Sequence, residues 1–247
     1  MSADDLVVDD LIPLRWGISS AHVNLLPPDK DQDAAISRIL SDSEAMKFLQ
    51  FMTKPNGYSL ADVAKRRQYR DQGQRNKKLL NFTIALKQSQ IPDQLLDKID
   101  QEEFLPPRRI PVDGISGCID MDESYLVIGC CGLNNIEGYN RCSEAGIILD
   151  ARFWRSGVSS AAMYLVLKYG FETMRLHRIA LLTTKDNIGM RGWLERTIGV
   201  SVECIRREVL YLGSGKYLDS WDYAVFDRHW HEHAERKLLS RLGVLKQ

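Results

Sequence analysis

Long apolar runs are missing from this 247-residue chain, and no stretch approaches the roughly 18 uncharged apolar residues of a membrane span. Net charge is missing too, since 33 basic residues meet 33 acidic ones. That balance removes the general electrostatic case for nucleic acid and leaves only a local basic patch to consider. Cysteine is scarce and odd in number: five residues, at 118, 130, 131, 142 and 204, with no C-x-x-C pair. A disulfide framework and a cysteine-rich zinc site are both argued against, and free thiols in a reducing, cytoplasmic setting are expected. The N-terminal MSADDLVVDD is acidic where a secretory signal would be basic and then apolar. Internal repeats and low-complexity tracts are absent. So are the three glycines of a dinucleotide fingerprint and the Gly-Lys-Ser/Thr of a triphosphate loop.

What is present is a globular balance of 44% apolar and 27% charged residues, enough for one large domain with its own core. Residues 1–20 read as a loosely held arm. Ala21 to Leu26 reads as an opening strand closed by Pro27-Pro28. Helical spacing appears at 33–40 and 59–72, with another turn or two at 42–51, and 79–87 reads as a strand. Residues 88–116 carry Pro92, Pro106, Pro107 and Pro111 around a charged segment. They predict a surface flap over the acceptor side. Strands follow at 125–133 and 144–149, a helix at 160–174, a strand at 178–184 and a helix at 188–198. A hairpin of strands 202–212 and 217–226, joined through Gly213-Ser214-Gly215, precedes a basic amphipathic helix within 227–247. The single domain is thus placed at 21–226.

Between the strand at 144–149 and the next helix lies W-R-S-G-V-S-S. Gly157 lets the chain turn, and the N–H groups of Ser159, Ser160 and Ala161 open a helix whose dipole favours an anion. Arg155 adds a cation, and Ser159 and Ser160 add hydroxyls. A single glycine before a helix is also an ordinary turn, so the loop by itself leaves both readings open.

The longer stretch EAGIILDARFWRSGVSSAAMYLVLKYGFETMRLHRIALLTTKDNIGMRGWLERTIGV, with GSGKYLDSWDYAVF after it, resembles the GNAT superfamily of acyl-CoA-dependent N-acyltransferases. The resemblance spans 144–226 and is closest to the ribosomal-protein N-terminal acetyltransferase-like branch. It implies a mixed α/β fold, a twisted central sheet flanked by helices, in which two neighbouring parallel strands splay apart around acetyl-CoA. The backbone of Ile147, Ile148 and Leu149 would pair with the pantetheine arm. The amides of Arg155, Ser156, Gly157, Val158, Ser159 and Ser160 would hold the pyrophosphate, and Asn187 would contact the pantetheine or acyl end. Asn187 also suits a helix cap. Two positions depart from the family: Met190 stands where a serine is common, and Gly199-Val200 replaces Gly-Phe.

The resemblance implies acetyl transfer to a primary amine by direct attack in a ternary complex, with no metal. An alkylamine with a pKa near 10 is protonated at pH 7, so a base is useful. Glu144 is the candidate base, against a strand-end glutamate in an ion pair. Tyr217 is the candidate acid, against a tyrosine packed on the sheet. Cys131 reads as inert packing. His229, His231 and His233 do not share one helical face, which argues against a three-ligand metal site. The basic run KRRQYRDQGQRNKK reads as a solvated face or as an attractor for the CoA 3′-phosphate, an acidic acceptor or RNA. The acceptor amine is unspecified, and a homodimer is left open. Two rival readings are a non-catalytic acyl-CoA-binding module and a ribosome- or RNA-associated protein using 65–78.

Overall fold

The computed structural model describes residues 11–113 and 117–243. Its first elements are short strands β1 (Ile18–Ser19) and β2 (Asn24–Leu26), then helices α1 (Asp33–Ser41) and α2 (Leu60–Arg75). Ser59 starts α2 with a reciprocal cap: its hydroxyl accepts from the Asp62 N–H at 3.2 Å, and the Asp62 carboxylate accepts from the Ser59 N–H at 3.0 Å. Residues 42–58 form turns, with one short helical turn at Gln50–Met52 instead of the expected longer helix. Leu80–Lys87 (β3), a one-turn helix α3 (Asp93–Leu96), and strands β4 (Phe104–Leu105), β5 (Arg108–Pro111) and β6 (Cys118–Met121) follow.

The second half begins with the long strand β7 (Tyr125–Glu137) and β8 (Cys142–Leu149). Helix α4 (Val158–Lys168), which widens into a π turn at Tyr169–Thr173, leads to β9 (Arg178–Thr183). Then come α5 (Ile188–Gly192), the hairpin β10 (Cys204–Gly213) and β11 (Lys216–Phe226), and terminal helices α6 (Asp227–His229) and α7 (Glu235–Arg241).

Among the described residues the main sheet has nine strands in the order β1-β2-β3-β7-β8-β9-β11-β10, with β4 also on β7. Every pairing in it is antiparallel except β8 with β9. Side chains alternate between the two faces. One face carries Leu80, Phe82, Cys131, Leu133, Ala145, Leu149, Ile179 and Leu181 into the main core with α4 and the C-terminal helices. Trp230, Ala234 and Leu238 anchor those terminal helices. The other face carries Ile148 and Cys130 towards α1, α2 and the 42–58 turns.

Two expectations are corrected. The arm is not loose over its described part: Ile12 is buried in the core, and the Trp16 ring lies 3.7 Å from that of Tyr169 and 5.6 Å from that of Phe82. Single large apolar side chains bury enough area to hold a segment that shows no period. Residues 1–10 lie outside the described residues. The 88–116 segment is no flap either, because Ile91, Leu95 and Ile99 join the main core. β4 pairs with Leu126 and Tyr125 just past the end of β8, filling the sheet position that β8 vacates. Prolines preclude a long element there and allow several short, buried ones. Residues 114–116 lie outside the description.

Candidate active site

β8 and β9 run parallel only through Cys142↔Arg178, Ser143↔Ile179 and Glu144↔Ala180. Beyond Glu144, β8 stays bonded to β7 as far as Leu149↔Gly129, and β9 stays bonded to β11 as far as Thr183↔Trp221. The two strands therefore part, opening a wedge with Glu144 and Ala180 at its vertex. The Asp150 N–H donates to Ile128 O on the β7 side at 2.8 Å. Backbone groups alternate edges along a strand, so Ile147 and Leu149 turn theirs into the wedge while Ile148 turns its own to β7. The expected contribution of the Ile148 backbone is thus withdrawn. The Leu149 carbonyl already accepts from Trp154 Nε1 at 3.2 Å, leaving its N–H and both groups of Ile147.

Beyond the open end of the wedge sits the turn into α4. Arg155 and Gly157 have φ of +64° and +93°, left-handed values that only glycine adopts without strain. A Cβ on Gly157 would meet nothing within 4 Å, so open space faces the helix N-terminus there. The N–H of Val158 reaches Ser156 Oγ at 3.4 Å, and that hydroxyl donates to Phe153 O. The N–H groups of Ser159 and Ser160 have no acceptor among the described residues. The Ser160 hydroxyl, in contrast, accepts from Trp193 Nε1 at 3.1 Å and is buried, so its backbone is the part left for a ligand. Arg155 is exposed at the loop tip. Phe48 stacks on Trp154 at 6.1 Å, and Lys47 Nζ lies 4.7 Å from the Trp154 ring, bracing the loop from the α1–α2 connection.

That parted pair, with an uncapped helix N-terminus beyond it, is the arrangement that the resemblance implies. The sequence model of the acetyltransferase (GNAT) domain matches residues 22–197, well over half of the chain. The chain belongs to the GNAT acetyltransferase family. Among curated relatives, the putative ribosomal N-acetyltransferase YdaF of Bacillus subtilis is 30% identical over 48% of this chain and 63% of its own length. The uncharacterized N-acetyltransferase p20 of Bacillus licheniformis is 35% identical over 28% of this chain and 39% of its own. The chain thus spans less than two thirds of these relatives. Mycobacterium smegmatis RimJ, solved with CoA-disulfide, overlays 90% of this chain and 89% of its own at TM-score 0.63 and 18% identity. Spermidine N-acetyltransferase from Vibrio cholerae, solved with CoA and spermine, overlays 86% and 100% at TM-score 0.60 and 14% identity. At those identities the GNAT fold is what is shared.

Within this GNAT chain Glu144 is half-buried, and burial pushes its carboxyl above the usual glutamate range. The Asn135 amide at 3.5 Å and the Arg206 guanidinium pull it back, while Asp222 pushes it up. Arg206 and Asp222 are themselves paired. Tyr217 is not brought to this point. It is 52% exposed and packs on Tyr211 at 5.0 Å, beyond the last β9–β11 pair. Ala224 is the β11 residue in line with Glu144, so Tyr217 lies seven residues further, roughly 23 Å at the usual strand rise. Asn187 Oδ1 caps α5 by accepting the Met190 N–H at 3.1 Å, which leaves only its amide NH2 for another partner. Cys131 is buried on the core face, and burial raises its thiol far above the ordinary value, as inert packing requires.

Among the described residues no group of three His, Cys, Asp or Glu side chains could hold a metal, and no helix is long and apolar enough to cross a membrane. His229 Nε2 lies 2.9 Å from Ile198 O. Of the basic run, Arg66, Arg67, Arg70 and Lys77 are drawn partly inward, while Lys65, Arg75 and Lys78 stay exposed. Arg67 forms two bonds to Asp33 at 2.9 and 3.0 Å, and Arg70 bonds Asn81 and Asn134. The sequence reading missed this inward turn, although Arg66 and Arg70 share one helical face by their four-residue spacing.

Proposed function

We propose that this chain transfers an acetyl group from acetyl-CoA to a primary amine by direct attack in a ternary complex. The parting of β8 from β9 at Glu144 carries this reading. The backbone groups of Ile147 and the N–H of Leu149 would hold an extended arm along β8. The amides of Ser159 and Ser160, with Gly157 leaving the space open and Arg155 at the rim, would hold a pyrophosphate. Acetyl-CoA supplies an acyl group on a thiol whose pKa near 8.5 makes it a tolerable leaving group without a strong acid. Glu144 takes a proton from the acceptor ammonium, the freed amine attacks the thioester carbonyl, and the C–S bond breaks as CoA leaves as its thiolate, with orientation at the vertex supplying much of the remaining rate.

Mass detection of a CoA species in the purified protein, followed by acetylation of an amine panel, tests the reading. CoA-dependent N-acetylated product is expected, and its absence across a broad panel despite CoA binding overturns catalysis. One observation favours a non-catalytic binding module as the second reading. Met190 stands at the family's serine position, and its side chain packs against the core and offers no hydroxyl. The bonds of Arg67 to Asp33 and of Arg70 to Asn81 and Asn134 weigh against an RNA-binding face over 65–78, because those two charges are not free to track a phosphate backbone.

A further inference from the structure

The family reading leaves unexplained the arginines that α2 lays on the sheet. Arg67 has its own carboxylate in Asp33, but Arg66 and Arg70 have none among the described residues. Arg70 donates only to neutral amides, Asn81 Oδ1 at 2.6 Å and Asn134 Oδ1 at 3.1 Å. Arg66 reaches no nearer than 4.0 Å to Cys130 Sγ. Burial, reinforced by the neighbouring Arg66 charge, pushes Arg70 down to about 10, so it remains a cation at neutral pH. Asp29 and Asp33 line the same recess with Asn81, Thr83 and Cys130, but Asp33 is paired with Arg67 and Asp29 with Arg15 and Arg108, so Arg66 and Arg70 are left there without a carboxylate of their own. A bound anion would supply one.

The recess lies on the same face of the sheet as the Glu144 side chain. Asn81, Thr83, Cys130, Gly132, Asn134, Glu144 and Gly146 share one face of the sheet, by the registers Asn81↔Gly132, Thr83↔Cys130, Gly132↔Gly146 and Asn134↔Glu144. Arg70 and Glu144 thus flank Asn134. The two paired glycines place no side chain of the sheet between the arginines and the wedge, and a Cβ on Gly146 would meet only Asn134 Nδ2, at 3.8 Å. Arg70, bonded to the register partner of Glu144, stands about one strand spacing from the candidate base, roughly 5 Å, while Cys130 beside Arg66 lies four residues further along β7, roughly 13 Å.

We propose that the acceptor is a small amine bearing an anionic group, carboxylate or phosphate, a few bonds from its nitrogen. Arg66 and Arg70 hold that group while the amine lies at Glu144. This rests on the acetyl-transfer reading and narrows it: the same charges repel polyamines. Carboxylate is recognised by Arg70 as a paired acceptor, with Asn81 and Asn134 fixing the fork.

The test compares each amino acid with its carboxamide, and O-phosphoethanolamine with ethanolamine, as acceptors for the full chain with acetyl-CoA. At least one anionic member should exceed its neutral partner in kcat/KM by about ten- to a hundredfold, carried by KM, because a hydrogen bond to a charged group is worth that much. Which pair shows the preference separates carboxylate from phosphate. Arg66→Gln and Arg70→Gln should bring the ratio close to one with little change for the neutral partner, and Arg70→Lys should restore part of it. Arg66→Gln has no close bond to lose, so it remains informative if Arg70→Gln fails to fold. Equal rates within every pair, or a preference that survives Arg66→Gln and Arg70→Lys alike, overturns the proposal. If no amine is acetylated, calorimetry of N-acetyl amino acids and their amides on the CoA-loaded protein decides separately. Binding of the acids alone, lost in Arg66→Gln, upholds the subsite while the transfer reading fails, and no binding overturns the subsite.

Discussion

Glu144 earns its place by position first. It is the last residue of β8 still paired with β9, half-buried, with a carboxyl raised by burial towards the range where a base is effective. Glu144→Gln keeps the shape and removes the base, so turnover of a protonated amine at pH 7 should fall about 100-fold or more. The deficit should shrink as pH rises, because more amine is already neutral. In the wild type, activity should fall with acid above the ordinary glutamate range, since the carboxyl takes up its proton there. Normal turnover of Glu144→Gln at pH 7 rejects the assignment. Gly157→Glu separates binding from chemistry. It imposes a left-handed backbone on a non-glycine residue and puts a negative side chain into the space that faces the α4 N-terminus. Acetyl-CoA should then lose its thermal stabilisation of the protein, while Glu144→Gln keeps it. Unchanged affinity in Gly157→Glu would show that the pyrophosphate lies elsewhere.

The element that most changes its meaning in three dimensions is the 88–116 segment. Glu103 is bonded to Arg152 at 2.7 Å, and Arg152 Nη1 donates to Lys98 O, so the segment grips the loop that follows β8. Arg38 of α1 bonds Asp150 of the same loop at 2.8 Å. Deleting 88–116 should therefore unfold the protein instead of merely changing acceptor choice, as thermal melting would show. A milder change, Ile99→Ala, should cost about 2–5 kcal/mol by opening a cavity in the main core. A stable deletion variant that still binds acetyl-CoA would restore the lid reading.

Across the whole molecule, acid should undo what these charges hold together. Burial alone would raise Asp150, but the Arg152 and Arg38 guanidinium groups outweigh it, and Arg152 holds Glu103 below its usual range. Both carboxyls thus have folded values below their unfolded ones. Their contribution is complete above about pH 5 and is lost as pH falls through the lowered folded values. Glu144 has the opposite sign and costs stability as pH rises through its raised value. Denaturant melts between pH 2 and 5 should fall steeply for the wild type and less steeply for Arg152→Met; equal slopes would rule out the network. Local patterning was enough to place β3, β8, α4, β9 and the terminal hairpin to within a few residues: β8 and β9 alternate, β3 is a largely apolar run, and Gly213-Ser214-Gly215 marks the hairpin turn. The turn at Gly157 was legible for the same local reason. Where β8 and β9 part, which strand edge Ile148 faces, how far Tyr217 stands from Glu144, and where Arg66 and Arg70 point depend on register between strands distant in sequence. Register is a property of pairing and packing, so only the tertiary structure decided them.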